Sequence, residues 1–231
     1  MVNAPAAAVR TVAVVPAAGR GVRLGVGTPK AFVEVGGTSL LRRCVDGLLV
    51  SGVVDLVVVV VPMQLLAAAR QLVPAGVVAV AGGVYRSDSV RAGLDVLHRL
   101  APQAQFVLVH DAARAFTPAG LVVSVVQELL SGAVAVVPVL AVTDTIKCVD
   151  ASGVITSTPD REGLRAAQTP QGFTVAVLDA AYTGELDATD DAGLVERAGV
   201  PVHTVPGHPM AFKITTPTDL AMAQALLARA R

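Results

Sequence analysis

The sequence predicts an α/β protein: a mostly parallel sheet flanked by helices, with a projecting β-arm. Three observations carry that expectation. From residue 12 to residue 138, short runs of small or β-branched apolar residues alternate with stretches of helical periodicity, the pattern of strands joined by crossover helices. The first run breaks into a glycine-rich loop, as a buried parallel strand does where a ligand meets the carboxyl end of an open sheet. Over 144–171 helical periodicity then disappears, and short extended pieces surround the turn Ala151-Ser152-Gly153.

Each element has its own reason. The run 12–15 is too short for a helix and is stopped by Pro16 and Gly19. Leu40, Leu41, Cys44, Val45, Leu48 and Leu49 follow close to helical spacing, with Thr38 or Ser39 placed to cap the helix. The valine-rich run 53–61 predicts a strand buried on both faces. Thereafter the pattern predicts a helix over 63–72, a strand over 77–81, a helix over 87–100, a strand over 106–110, a helix over 121–130 and a strand over 133–138. Beyond the arm come a helix over 192–198, a strand over 202–205 and a closing helix over 218–229, all within a single domain spanning 1–231. On residue types alone the segment 144–171 is either a flexible insertion or an arm, and an arm without its own core needs a partner surface.

Composition excludes several classes of function. The chain is 53% hydrophobic, drawn mainly from Ala, Val and Leu, and only 3% aromatic, which suits a packed α/β interior. Its 18 basic and 18 acidic residues balance without a basic block, so a nucleic-acid partner is not expected. Cys44 and Cys148 fall in no metal-ligand or C-x-x-C spacing, and free thiols point to a cytoplasmic setting. The apolar run 56–61 is far below membrane-spanning length, and Arg10 and Pro16 interrupt any export-like core, so no membrane partner is expected.

The chemistry begins in the loop 16–30. Gly19, Gly21, Gly25 and Gly27 let backbone N–H groups approach a ligand, while Arg20, Arg23 and Lys30 supply charge of one sign. No acidic residue precedes Glu34, so the loop awaits an anion; the alternative, a solvated loop with incidental arginines, leaves that one-signed charge without a cause. The P-loop is excluded because no Gly-Lys-Ser/Thr follows, and the dinucleotide fingerprint fails at Leu24. Only three of the basic residues are lysines, Lys30, Lys147 and Lys213, which marks them as candidates for sites that need a compact ammonium. Two further strand ends carry polar groups: Gly82-Gly83-Val84-Tyr85-Arg86-Ser87-Asp88-Ser89 opens a helix, and His110-Asp111-Ala112-Ala113-Arg114 places a carboxylate and a guanidinium together. A carboxylate beside bound phosphates can hold a hard cation, whereas His110 is expected to be a structural strand-end residue.

Pro16-Ala17-Ala18-Gly19, Gly21, Arg23-Leu24 and Pro29-Lys30 resemble the signature loop of nucleotidyltransferases that join a nucleoside triphosphate to a sugar or polyol phosphate. Among these the resemblance is to the 2-C-methyl-D-erythritol 4-phosphate cytidylyltransferases of non-mevalonate isoprenoid biosynthesis. It implies a Rossmann-like fold of the nucleotide-diphospho-sugar transferase type and CTP as donor. Pro16, Ala17, Ala18 and Gly19 would wrap the nucleotide, Gly83 and Ser89 would meet its cytosine, and Asp111 and Ala112 would lie beside it. Asp111 is also the candidate ligand for Mg2+ or another divalent cation. Arg23, Lys30 and Lys213 would stabilise the transition state. Arg114, Thr145, Arg161, Thr169, Thr189 and Lys213 would bind the acceptor phosphate, with Arg161 reaching into the site of a second subunit clasped through the arm as a homodimer. The chain departs from the family pattern at Val84, where some relatives carry an acid, and at Ala115, where a proline is usual. Two competitors share these signatures: a cytidylyltransferase for another polyol phosphate such as ribitol 5-phosphate, and a non-catalytic nucleotide-binding protein.

Overall fold

A computed structural model describes residues 10–229 apart from 20, 26, 84 and 185–187, so the expectations for Arg20 and Val84 lie outside the described residues. Strand β1 (Thr11–Pro16) is followed by the signature loop, which coils into two short 3-10 turns, and by a hairpin of β2 (Glu34–Val35) and β3 (Thr38–Ser39). Helix α1 (Leu40–Val50) starts where the Ser39 hydroxyl accepts a hydrogen bond from the Arg42 N–H, as the sequence predicts. There follow β4 (Leu56–Val61), α2 (Leu66–Leu72), β5 (Val78–Ala81), α3 (Arg86–Leu100), β6 (Phe106–Val109), α4 (Ala119–Leu130) and β7 (Ala135–Ala141). The arm carries β8 (Cys148–Val149) and β9 (Ile155–Ser157). The chain returns through β10 (Arg165–Ala167) and β11 (Gln171–Thr174) to α5 (Val175–Ala181), α6 (Asp191–Arg197), β12 (His203–Pro206) and α7 (Pro217–Arg229).

In the main sheet β5, β4, β1 and β6 run parallel in that order, and β11 then lies antiparallel between β6 and β7. On the far side of β7, β12 runs parallel to it. Alternate residues of β1 divide the core. Ala13 and Val15 face a cluster that includes Leu41, Leu48, Val122 and Val125, while Val12 and Val14 face Val90, Leu94, Leu178 and Val195. Helices thus cover both faces, which is why strands such as LVVVVV are apolar throughout.

Three features differ from expectation. The β2–β3 hairpin turns on Gly36 and Gly37, both at positive φ, within a stretch with no strand pattern long enough to notice. Strand β11 and helix α5 are also unforeseen, because the four residues Gln171–Thr174 show no alternation and are buried on both sides by neighbouring strands. The projecting part of the arm ends earlier than residue 171: β10 already pairs antiparallel with β7 in the main sheet, and Gln168, Thr169 and Gln171 are buried in the main body.

Helix α3 lies so close to β1 that a Cβ at Gly93 would overlap the Val14 side chain. Gly93→Val should therefore lower stability in denaturant unfolding by about 2 kcal/mol or more, the cost of an overpacked core. Gly120→Ala in α4 meets open space and should be neutral or gain up to about 1 kcal/mol from helix propensity.

Candidate active site

The carboxyl ends of β1 and β6 open into a cleft of about 210 Å³. One wall is the signature loop from Pro16 to Gly19 with Lys30; the other carries Arg86, Ser89, Asp111, Ala112 and Lys213. The loop folds back on itself. Leu24 N–H donates to Gly21 C=O at 2.8 Å, and Lys30 N–H donates to Gly19 C=O at 3.4 Å. Gly21 sits at φ 68°, and a Cβ there would lie 3.0 Å from that of Lys30, so the glycine both permits the turn and admits the lysine.

Charge is concentrated here. Lys213 Nζ lies 2.7 Å from Asp111 Oδ2, and Arg86 Nε lies 3.7 Å from Asp111 Oδ1. Burial by itself would raise the Asp111 pKa, yet Lys213 and Arg86 overcome it and hold the carboxyl at about 2. The Lys30 amine, 3.3 Å from Thr215 Oγ1, moves the other way. Burial, the positive charge of Lys213 and, less strongly, that of Arg23 pull its pKa from 10.5 to about 8, against the opposing pull of Asp111. These three cations therefore feel one another across a single site. Among the described residues, Asp111 is the one carboxylate that lines the cleft.

Lys213 is delivered by a segment fixed at several points. Ile214 is wholly buried and its N–H donates to Ala113 C=O at 2.9 Å, while Phe212 stacks on Phe116 with ring centres 6.2 Å apart. The Arg114 guanidinium donates to Ala211 C=O at 2.6 Å and to Ala167 C=O at 3.2 Å. On the opposite side, Thr169 Oγ1 accepts from the Asp111 N–H at 3.1 Å and contacts His110 Nδ1 at 2.8 Å. Burial pushes the His110 pKa down to about 4, so this imidazole is neutral and structural, as its strand-end position suggested.

A family model described as 2-C-methyl-D-erythritol 4-phosphate cytidylyltransferase matches residues 11–229. The chain belongs to this family. A relative with that description from Nocardia farcinica is 60% identical over 220 residues, covering 94% of either chain. One from Saccharopolyspora erythraea is 57% identical over 225 residues, covering 94% of this chain and 99% of the relative. Among solved structures, the 2-C-methyl-D-erythritol 4-phosphate cytidylyltransferase of Thermus thermophilus superposes with a TM-score of 0.76 at 37% identity, covering 96% of this chain and 99% of that one. The 4-diphosphocytidyl-2C-methyl-D-erythritol synthase of Anaerococcus prevotii superposes at 0.83 with 28% identity, covering 95% and 96%.

The structure gathers some of the residues expected from the family pattern and separates others. Pro16, Ala17, Ala18, Gly19, Lys30, Ser89, Asp111, Ala112 and Lys213 line the cleft, and Arg23 stands on an exposed 3-10 turn of the loop beside it. Ser89 is wholly buried, and its hydroxyl has no hydrogen-bond partner among the described residues, leaving it available to a ligand. Gly82 makes that possible, since a Cβ would lie 2.6 Å from Ser89 Oγ; Gly83 instead makes room for the Asp88 carboxylate, which accepts the Tyr85 N–H at 2.9 Å. Thr169 and Arg114 are engaged in the internal bonds above, Thr189 lies on a neighbouring cleft, and Thr145 and Arg161 lie on the arm. In this chain Arg161 donates to Thr143 C=O at the base of the arm.

Arg86 is the residue that pattern reasoning passed over. Its Nη2 lies 2.6 Å from Asp191 Oδ2, whose side chain is fully buried, and the Tyr182 hydroxyl donates to Asp191 Oδ1 at 2.6 Å. Burial disfavours its charge, but Asp191 and then Asp111 outweigh that and hold the guanidinium firmly protonated. Arg86 stands inside the quoted Gly-Gly motif, yet its counter-ion lies 105 positions away, beyond any local spacing. Arg86→Met strands the buried Asp191 with only a phenol, and should cost about 3 kcal/mol in denaturant unfolding. Arg42→Met breaks a half-exposed pair with Asp46 and should cost well under about 1 kcal/mol.

Proposed function

We propose that the protein transfers the CMP moiety of CTP to 2-C-methyl-D-erythritol 4-phosphate, giving 4-diphosphocytidyl-2-C-methyl-D-erythritol and pyrophosphate in non-mevalonate isoprenoid biosynthesis. The observation that carries this reading, in a member of this family, is the meeting of Lys30, Lys213 and Arg23 around one cleft that holds a single carboxylate among the described residues. An acceptor phosphate oxygen attacks the α-phosphorus; that P–O bond forms as the bond to pyrophosphate breaks. The nucleophile is ionised at neutral pH and needs no general base, consistent with a neutral, buried His110. The chain's task is to hold two mutually repelling anions in line and to stabilise charge that grows on the α-phosphate oxygens. The orphan Ser89 hydroxyl supports a role in reading the base.

Asp111 is the residue that would hold Mg2+ or another divalent cation. No group of three His, Cys, Asp or Glu gathers among the described residues, which fits an ion held by one carboxylate, substrate phosphates and water. Bound there, the ion would neutralise phosphate charge. Lys213 already engages one Asp111 oxygen, so the same carboxylate that orients the lysine would also hold the ion.

The arm supports a homodimer. Ile146, Val149, Val154 and Ile155 are all exposed on it, an apolar surface that a second arm would cover and that would carry Thr145 and Arg161 to the neighbour's acceptor. No helix among the described residues is long and apolar enough to cross a membrane, in keeping with a cytoplasmic enzyme.

Pyrophosphate release from CTP with 2-C-methyl-D-erythritol 4-phosphate tests the reading directly; release only with ribitol 5-phosphate, or with neither acceptor, would sink it. Replacing Lys30, Lys213 or Arg23 by Ala should lower kcat about a hundred- to a thousand-fold. Lys30 works as a cation, so kcat/KM for CTP should be level at lower pH and fall as pH rises through about 8; a profile flat through that pH contradicts its role.

A further inference from the structure

Three consecutive residues at the root of the arm each hold a different segment that leads to the cleft. Ala167 C=O accepts from Arg114, and Thr169 binds His110 and the Asp111 N–H. Between them, Gln168 is 4% exposed and has no place in the reaction described above. Its Oε1 accepts the His208 N–H at 2.9 Å and its Nε2 donates to the His208 C=O at 3.0 Å. One side-chain amide thus satisfies both main-chain groups of a single residue, as a neighbouring strand would.

The contact reaches across β7. Gln168 N–H donates to Pro138 C=O at 2.8 Å, and Gly207 N–H donates to Val139 C=O at 2.8 Å, so the arm root and the segment after β12 flank that strand. Gly207 is required for the fit: a Cβ would lie 2.5 Å from Gln168 Oε1 and 2.9 Å from the Val139 carbonyl oxygen. From His208 a single 3-10 turn, closed by Ala211 N–H on His208 C=O at 2.9 Å, leads to Lys213. The clamped His208 is therefore the anchor on the N-terminal side of the lysine, as Arg114 on Ala211 C=O and Ile214 N–H on Ala113 C=O are anchors nearer to it.

We propose that Gln168 is a positioning residue: by clamping the His208 backbone to the arm root it contributes, with the Arg114–Ala211 and Ile214–Ala113 bonds, to where Lys213 stands, and so couples the placement of the arm to the cleft. The claim rests on the proposed transfer reaction for its kinetic consequence, but not for its structural one.

Gln168→Met keeps the volume and removes both hydrogen bonds; Gly207→Ala crowds the same clamp from the other side. With CTP and acceptor, Gln168→Met should lower kcat about ten- to a hundred-fold, the effect of a misplacement of about 1 Å, with KM for CTP little changed. In a Lys213→Ala background it should lower kcat no further. Retained kcat, or a loss that multiplies with that of Lys213→Ala, would overturn the proposal. A readout independent of activity is the Lys30 titration, followed by NMR of the lysine ε-carbons, which are few because the chain has three lysines. Lys213 depresses the Lys30 pKa, so displacing it should move that pKa upward from about 8. An unchanged Lys30 titration in the variants overturns the proposal even if the wild-type protein does not turn over these substrates. Should Gln168→Met fail to fold, Gly207→Ala decides by the same criteria.

Discussion

Repulsion among the cations at the mouth of the cleft is the constraint on which the rest of the molecule depends. Burial first, and then the positive charges of Lys213 and Arg23, pull the Lys30 pKa down to about 8 against the pull of Asp111. A single carboxylate in the described cleft, Asp111, offsets the charge, and it is shared between Lys213 and Arg86. Such a site is unfavourable when empty and is relieved by polyanions. Selectivity for phosphates thus follows from withheld neutralisation as much as from contacts supplied.

Holding like charges together requires rigid supports, and these come from distant parts of the chain. A third hydrophobic cluster joins Leu24 of the signature loop, Val35 of the hairpin, Leu40 at the start of α1, Ala115 after the Asp111 loop, Ile214 beside Lys213 and Ala223 of α7. Loop and lysine are thereby packed into one small core apart from the two that cover the sheet. Arg43 adds to it, bonding Val35 C=O and lying over the Phe116 ring at 5.7 Å. On the other wall, Arg86 is held by a buried carboxylate capped by a phenol, a costly arrangement that makes sense where one guanidinium orientation must be kept.

The arm combines two unlike regions. Its outer part is an exposed hairpin, β8 with β9, closed by its own hydrogen bonds and carrying the exposed apolar residues Ile146, Val149, Val154 and Ile155. Its root is fully engaged, with Ala167, Gln168 and Thr169 bonded in turn to Arg114, His208 and the His110-Asp111 pair.

Composition and local pattern determined the α/β class, most of the strands and helices, and the signature loop, because a sheet covered on both faces demands unbroken apolar strands and an anion site demands glycines and uncompensated cations. Lys30 and Asp111 stood out at the ends of apolar strands, whereas Lys213 was marked by the scarcity of lysine and by the family resemblance. Only the tertiary structure decided that β11 inserts antiparallel between β6 and β7, that Arg86 is paired with Asp191, and that Gln168 grips His208. Each of these joins groups far apart in sequence, where no periodicity or spacing records the partner; such contacts exist only once the chain has closed on itself, because burying a polar group is costly until a partner reaches it.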